Sequence, residues 1–217
     1  MIVLQNKKVI KRGRGRPPAR SEEENRRLVV QAAAQEFQAN GYANTCIDKI
    51  AARAGVSTRT IYQLVSNKAE LFGAFIADRA GSFILTVDEA QLDQLPLVEA
   101  LTRILTNYGK LTLAPETIAI MRLVTAESGR FPEIGRAFYD QAVTKINDVM
   151  EAWLVHHQER GAIKLDNPRA AVGMLRGMML MDPQRDILLG QQDIPTEAEI
   201  ERRARACATL FLNGCLA

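Results

Sequence analysis

The sequence predicts an all-α protein in which a small N-terminal domain of three helices is joined by a long helix to a larger C-terminal helical bundle. Hydrophobic residues make up 47% of the 217 residues and aromatic residues only 6%. The apolar positions recur three and four residues apart, as in amphipathic helices. We find no repeat and no alternating strand pattern, so we expect about nine helices. Five prolines stand where predicted helices begin, a position that tolerates proline: Pro96, Pro115, Pro132, Pro168 and Pro195.

The first two helices are predicted from their capping residues. Ser21 precedes three glutamates, which favour the positive end of a helix, and Gly41 has the character of a C-terminal cap. Thr45, with Asp48 three residues later, has the spacing of a capping box and predicts the start of the second helix.

The fourth helix is expected to begin at Asn67, with Glu70 three residues later, and to run from the first domain into the second. The remaining helices are predicted near 97–112, 115–128, 131–160, 167–189 and 196–213.

Two short apolar segments meet at Ala54-Gly55-Val56-Ser57, which predicts a helix-turn-helix over about 46–65. Its small residues let two helices cross closely, and Ser57 caps the second of them. Arg59 can offer two donors to a guanine, and Thr58 can contact a base edge or a thymine methyl group. The exposed face of this helix is expected to carry Thr58, Arg59, Tyr62 and Gln63.

Residues 1–20 contain seven Lys or Arg residues and no acidic residue, although the net charge of the whole chain is only +3. A basic arm on a mildly acidic body indicates a polyanionic partner, and the alternative is a solubilising tail. The arm is rich in Gly, Pro and Arg, so we expect it to be disordered. Arg12, Arg14 and Arg16 lie in a Gly-Arg-Pro context that resembles an AT-hook, which binds the minor groove.

The N-terminal sequence resembles the DNA-binding domain of the TetR/AcrR family of transcriptional regulators. The matching residues are Thr45, Ile50-Ala51, Ala54-Gly55-Val56-Ser57, Thr60-Ile61-Tyr62, Lys68 and Leu71, preceded by Ala32-Ala33, Phe37 and Gly41-Tyr42. Three features depart from the family pattern: Val65 where Phe is usual, the order Lys-Ala-Glu-Leu after Asn67, and Arg59 where Gly is often found.

The resemblance assigns DNA contacts residue by residue. Thr58 and Arg59 match base-contacting positions, with Thr60 as a third candidate and Ser57 beside them. The positions that match phosphate contacts are Thr45, Tyr62, Gln63 and Lys68. For Thr45 a purely capping role is an equal alternative, and for Tyr62 the alternative is half-buried packing.

The stretch from Met121 to Tyr139 resembles the AefR-like C-terminal domain of part of this family, which implies a homodimer with a small-molecule pocket in each bundle. Residues expected to line the pocket, or alternatively to be ordinary core, are Met121, Phe138, Met150, Trp153, Met174 and Met178. Arg122 and Glu127 are expected to form an ion pair, with each other or with a partner.

The last helix carries a narrow apolar stripe that predicts a dimer interface, the alternative being packing within the chain. The expected interface residues are Gly173, Gly177, Ile200, Ala204, Cys207, Ala208 and Phe211. Cys207 and Cys215 lie near this seam and are expected to be buried thiols rather than an inter-subunit disulfide.

The sequence gives no support for an enzyme, a metal site, a cofactor or a membrane span. His156 and His157 are adjacent, so they face different ways, and we expect both at the surface. Three cysteines without ligand spacing fit a reducing cytoplasm.

We therefore expect a DNA-binding repressor that binds a palindromic operator of double-stranded DNA as a homodimer and is released by a small hydrophobic effector. The expected domains are a basic arm (1–20), a helix-turn-helix domain (21–72) and a ligand-binding and dimerisation domain (73–217). The alternatives are a non-inducible architectural protein for A·T-rich DNA, or an activator of the same fold.

Overall fold

The computed structural model describes residues 20–215, whose regular secondary structure is helical. The first four helices are α1 (Glu22–Asn44), α2 (Ile47–Ala54), α3 (Thr58–Leu64) and α4 (Lys68–Ile84). They are followed by α5 (Glu89–Leu92), α6 (Leu97–Thr112), α7 (Pro115–Glu127), α8 (Pro132–Phe138), a π-helical segment (Tyr139–Thr144), α9 (Lys145–Glu159), α10 (Pro168–Leu188) and α11 (Glu197–Cys215).

The predicted helix starts at Ser21, Ser57 and Asn67 are confirmed, because each of these side chains accepts the backbone N–H three residues later. Gly41 has a φ of 74° within α1, so the helix is interrupted where the sequence predicts its end.

The capping box at Thr45 is wrong. Cys46 occupies the capping position of α2 and makes no side-chain bond there. The hydroxyl of Thr45 instead points back toward α1, with the carbonyl oxygens of Gly41 and Glu36 at 2.7 and 3.1 Å, and the residue is only 3% exposed.

Two hydrophobic cores organise the chain. The first lies among α1–α4 around Phe37, Ile50, Ile61 and Phe72, all fully buried. It also includes residues of α7 and α8, namely Ile120, Val124 and Ile134. The N-terminal helices are therefore packed directly onto the bundle as well as being joined to it through α4.

The second core fills the bundle and includes Leu105, Tyr108, Trp153 and Leu175. The stretch predicted as one helix over 131–160 is α8, the π-helical segment and α9 in succession. A π-helical turn holds an extra residue per turn, a local departure that apolar spacing does not reveal. The one-turn α5 was not predicted, because four residues are too few for a periodic pattern.

The apolar stripe on α11 was predicted to contact a second subunit, and this prediction is wrong because the stripe packs within the same chain. Ile200, Ala204, Cys207 and Ala208 are at most 6% exposed and belong to the second core, and Phe211 packs against the same core. The stripe lies on α6, where Gly109 permits a close approach. A Cβ atom on Gly109 would stand 2.7 Å from Cγ2 of Ile200 and 2.5 Å from Cε of Met179.

Candidate functional site

The α3 helix turns one side to the first core and the other to solvent. Ile61 is fully buried, whereas Tyr62 is 57% exposed and Arg59 and Gln63 are exposed. Thr58 is half-buried. The predicted orientation of this helix is therefore confirmed, and the alternative of half-buried packing for Tyr62 does not hold.

Ser57 and Thr60 fix the start of α3. The Ser57 hydroxyl accepts the backbone N–H of Thr60 at 3.1 Å and lies 2.9 Å from the Thr60 hydroxyl. This cap satisfies one of the free N–H groups of the helix end, and the others remain at an exposed N-terminus with its positive dipole.

Lys68 is held inside the domain and does not extend into solvent. Its Nζ donates to the carbonyl oxygens of Tyr42 at 2.7 Å and Thr45 at 2.9 Å, and lies 4.2 Å from the centre of the Tyr42 ring. Burial lowers the pKa of Lys68, and nearby carboxylates oppose that effect. Lys68 thus ties the start of α4 to the connection between α1 and α2.

Two contacts missed at the sequence level fix α2 against its neighbours. Glu36 is 4% exposed and pairs with Arg53, whose Nη2 lies 2.6 Å from the carboxylate. Arg20 donates to the carbonyl oxygen of Gly55 at 3.3 Å, so the described chain begins beside the turn of the helix-turn-helix. Arg12, Arg14 and Arg16 of the predicted arm lie outside the described residues.

Glu127 joins the bundle to the same α1–α2 connection. Its two carboxylate oxygens accept the backbone N–H groups of Tyr42 at 3.0 Å and Ala43 at 2.8 Å. The expected pair with Arg122 is therefore wrong, because Arg122 donates to the carbonyl oxygen of Ile187 in α10 at 2.8 Å. Glu127 accepts from two backbone N–H groups and Arg122 donates to a backbone carbonyl oxygen, contacts between distant parts of the chain that helical spacing cannot predict.

A cavity of about 150 Å³ lies between α4, α6, α7, the α8–π segment and α10. Its walls are largely apolar, and its polar groups include Arg79, Tyr108 and Arg176. Residues that line it include Ile76, Ala80, Leu111, Ile120, Met121, Phe138, Ile146 and Leu180.

Two of the six residues predicted for the pocket, Met121 and Phe138, line this cavity. The other four predictions are wrong. Met150 and Trp153 are buried in the second core, Met178 packs against that core, and Met174 is 65% exposed. Methionine and aromatic content alone does not distinguish a cavity wall from a filled core.

The outer sides of α10 and α11 expose apolar side chains. Met174, Met181 and Leu210 are each between 64% and 68% exposed. Beside Gly173 and Gly177 of α10 there is open space within 4 Å of where a Cβ would lie. Met174 and Met181 are seven residues apart, so they lie on the same side of α10.

The two histidines lie near the end of α9, but only one is at the surface. His156 Nε2 lies 3.1 Å from Asp93, and Asp93 also pairs with Arg160. His157 is 8% exposed and stacks edge-on against Trp153, so its expected surface position is wrong. Cys207 and Cys215 are free, buried thiols, as expected.

Across residues 20–215 no helix is both long and apolar enough to cross a membrane. Within the same described stretch, no three His, Cys, Asp or Glu residues are grouped as metal ligands.

A three-helix domain with an exposed, capped second helix of a helix-turn-helix, packed on a helical bundle that contains a largely apolar cavity, is the architecture of a DNA-binding transcriptional regulator. Residues 29–75 match the family model for bacterial regulatory proteins of the tetR family. Residues 99–214 match the C-terminal domain model of AefR-like transcriptional repressors. The chain therefore belongs to the TetR family, a family of regulators and not of enzymes.

Known proteins resemble the chain over most of its length. A TetR-family regulator from Mesorhizobium loti is 25% identical, with a TM-score of 0.79 covering 92% of this chain and all of that one. The flavonoid-responsive regulator FrrA is 27% identical, with a TM-score of 0.71 covering 89% of this chain and 98% of that one.

A curated relative, a fatty acid metabolism regulator protein of Bacillus subtilis, is 23% identical over 126 residues. That match takes in 58% of this chain and spans only 60% of the length of the relative.

Proposed function

We propose that the protein is a dimeric repressor that reads a palindromic operator with α3 and leaves it when a small molecule occupies the cavity. The observation that carries this proposal is the position of α4 and α7. Each also holds the α1–α2 connection with a terminal residue, Lys68 or Glu127. Each contributes three residues to the cavity wall, Ile76, Arg79 and Ala80 from α4 and Thr117, Ile120 and Met121 from α7.

In the DNA-bound form, α3 lies in the major groove. Arg59 and Thr58 contact base edges, because Arg59 is exposed and the N-terminal residues of a recognition helix face the bases. Tyr62 and Gln63 contact phosphates, which fixes the register of the helix. Thr45 and Lys68 do not contact DNA in this proposal. They stabilise the α1–α2 connection, since the Thr45 side chain is buried and Lys68 donates to backbone carbonyl oxygens there.

The dimer forms through the outer faces of α10 and α11. Met174, Met181 and Leu210 provide apolar area, and Gly173 and Gly177 allow another backbone to approach closely. Two helices from each subunit then form a four-helix interface, which sets the separation of the two α3 helices.

Release follows from the shared contacts of α4 and α7. A ligand between them changes their separation, and Lys68 and Glu127 transmit the change to the α1–α2 connection. The ligand can act only by binding the released conformation more tightly than the DNA-bound one.

The basic arm adds affinity through Arg12, Arg14 and Arg16, which suit the narrow minor groove beside the operator. Arg20 lies next to the turn between α2 and α3, so the arm starts close to bound DNA. Because its target is the bacterial chromosome, the protein acts in the cytoplasm.

The first test is selection of bound sequences from a random DNA pool at near-physiological salt. A two-fold symmetric motif with fixed half-site spacing supports dimeric reading by α3. Enrichment of unsymmetrical A·T runs would overturn it in favour of an architectural protein. With the selected operator, a titration of a cavity ligand into the protein–DNA complex then measures directly whether the ligand releases the protein from DNA.

Removal of residues 1–19 tests the arm while keeping Arg20 in place. We expect weaker operator binding and a flatter dependence on salt, because fewer counterions are released. An unchanged salt slope would mean that the arm does not contact DNA.

A further inference from the structure

Arg176 gives the cavity a positive charge with no acidic partner. Its Nε donates to the hydroxyl of Tyr108 at 2.7 Å, and its Nη1 donates to the side-chain oxygen of Asn147 at 2.7 Å. Both acceptors are neutral. Among the described residues, no carboxylate lies within 4.0 Å of this half-buried guanidinium. A guanidinium has five N–H donors, so three of them are left for another acceptor.

Tyr108 supplies a further donor at the same place. The residue is 1% exposed, and its hydroxyl accepts from Arg176 but donates to no residue of the described chain. Burial raises the pKa of Tyr108, against the effect of Arg176, so the hydroxyl keeps its proton at neutral pH. A buried O–H without an acceptor is costly unless a ligand provides one.

Arg79 brings a second positive charge from α4. Its Nη2 donates to the Thr117 hydroxyl at 3.2 Å, and its buried Nε has no partner. The acid nearest to Arg79 is Glu116, which is half-exposed and 3.7 Å away. No Asp or Glu lines the cavity, so its polar groups favour a negatively charged ligand.

The remaining walls suit an apolar body. Ile120, Phe138, Ile146 and Leu180 surround the space, and a volume of about 150 Å³ has room for a short chain or one ring. A carboxylate has two oxygens with about four acceptor positions, which matches the three free N–H groups of Arg176 and the O–H of Tyr108.

We propose that the cavity takes an organic carboxylate, whose acid group accepts from Arg176 and Tyr108 and whose apolar body lies against α4, α7 and α10. The regulatory meaning of this site rests on the proposed function, but the choice of ligand does not. Binding is therefore measured on the protein alone, without DNA.

The experiment compares acids with their uncharged amides by titration calorimetry. Octanoate is paired with octanamide, and 3-phenylpropanoate with its amide, so that chain and ring bodies are both tested. We expect at least one acid to bind at least about tenfold more tightly than its amide. If neither acid exceeds its amide, including the case in which none of the four binds, the proposal is overturned.

Three variants test whether the preference for the acid over its amide arises from Arg176 and Tyr108. Arg176→Met and the near-isosteric Tyr108→Phe should each reduce acid binding more than amide binding, because the amide oxygen carries no charge. Arg185→Met is the matched control, because Arg185 lies on the same helix but pairs with Asp182 and Asp186, neither of which lines the cavity. An acid preference that survives in both Arg176→Met and Tyr108→Phe would contradict the site. Acid binding that leaves operator affinity unchanged would overturn only the release mechanism.

Discussion

Glu127, the last residue of α7, lies 3.0 Å from the backbone nitrogen of Tyr42, 85 residues earlier in the chain. Its other oxygen accepts from Ala43, so one carboxylate satisfies two N–H groups where α1 turns toward α2. Through this contact, a helix that lines the cavity is attached directly to the DNA-binding domain.

Replacing Glu127 should destabilise the protein. Glu127→Ala removes the acceptor for two N–H groups, and we expect the free energy of unfolding to fall by about 2 kcal/mol. Urea denaturation measures this loss. Glu159→Ala is the control, because Glu159 is exposed at the end of α9. Equal stability of the two variants would show that water replaces Glu127 without cost.

Arg59 should determine the preference for one base pair in each half-site of the operator. Arg59→Ala is expected to weaken operator binding by about 1–3 kcal/mol and to relax preference at one base pair of each half-site. Binding to an operator and its single-base variants by fluorescence anisotropy gives both quantities. Equal losses on every DNA sequence would assign Arg59 to the phosphate backbone instead.

The proposed dimer face can be tested by placing charge on it. Met174→Glu and Leu210→Glu each put a carboxylate where we propose that two subunits meet, so both variants should become monomeric in sedimentation experiments. Leu85→Glu is the control, because Leu85 is 85% exposed at the end of α4. If Leu85→Glu disrupted the dimer while Met174→Glu and Leu210→Glu did not, the interface would lie elsewhere.

Two glycines should respond in opposite directions to the same substitution. A Cβ on Gly109 would collide with Met179 and Ile200, so Gly109→Ala should destabilise the protein by about 1–3 kcal/mol. Gly81, inside α4, has nothing within 4 Å. Gly81→Ala should therefore stabilise the helix by up to about 1 kcal/mol. Thermal unfolding compares them, and a stable Gly109→Ala would mean that α11 moves away from α6 without cost.

The contact between α6 and α11 should weaken in acid. Glu99 accepts two bonds from Arg205, at 2.7 and 2.8 Å, and these bonds lower the pKa of the Glu99 carboxyl below its usual value. A lowered pKa in the folded state contributes stability above the unfolded pKa of about 4.3, and that contribution is lost as the pH falls through the folded value.

The melting temperature of the wild type should therefore fall more steeply between about pH 5 and pH 3 than that of Glu99→Gln, which cannot titrate at this position. Glu159→Gln should follow the wild type. Parallel curves for the wild type and Glu99→Gln would show that the pair adds nothing to acid stability.

Local signals predicted the first domain well. The caps at Ser21, Ser57 and Asn67 and the glycine at position 41 are each determined by a few neighbouring residues, which a sequence displays directly. The exposed side of α3 followed because its apolar residues, Ile61 and Leu64, must face the core, which turns Arg59, Tyr62 and Gln63 toward solvent.

The larger domain was less predictable, because an apolar stripe does not identify what covers it. Ile200 and Ala204 have the spacing of an interface, yet α6 of the same chain covers them. The exposure of Met174 and the burial of His157 depend on how α9 and α10 are rotated, and those rotations are set by partners distant in sequence.

The three thiols differ in solvent access, so a single site of the unmodified protein can be spin-labelled. Cys46 is exposed at the start of α2, whereas Cys207 and Cys215 are buried, and burial raises the pKa of both of these thiols. A maleimide spin label on the unmodified sequence should therefore react at Cys46 alone. In a dimer, the two labels would report the distance between the helix-turn-helix units. The same sample could then be measured free, on DNA and with a carboxylate bound.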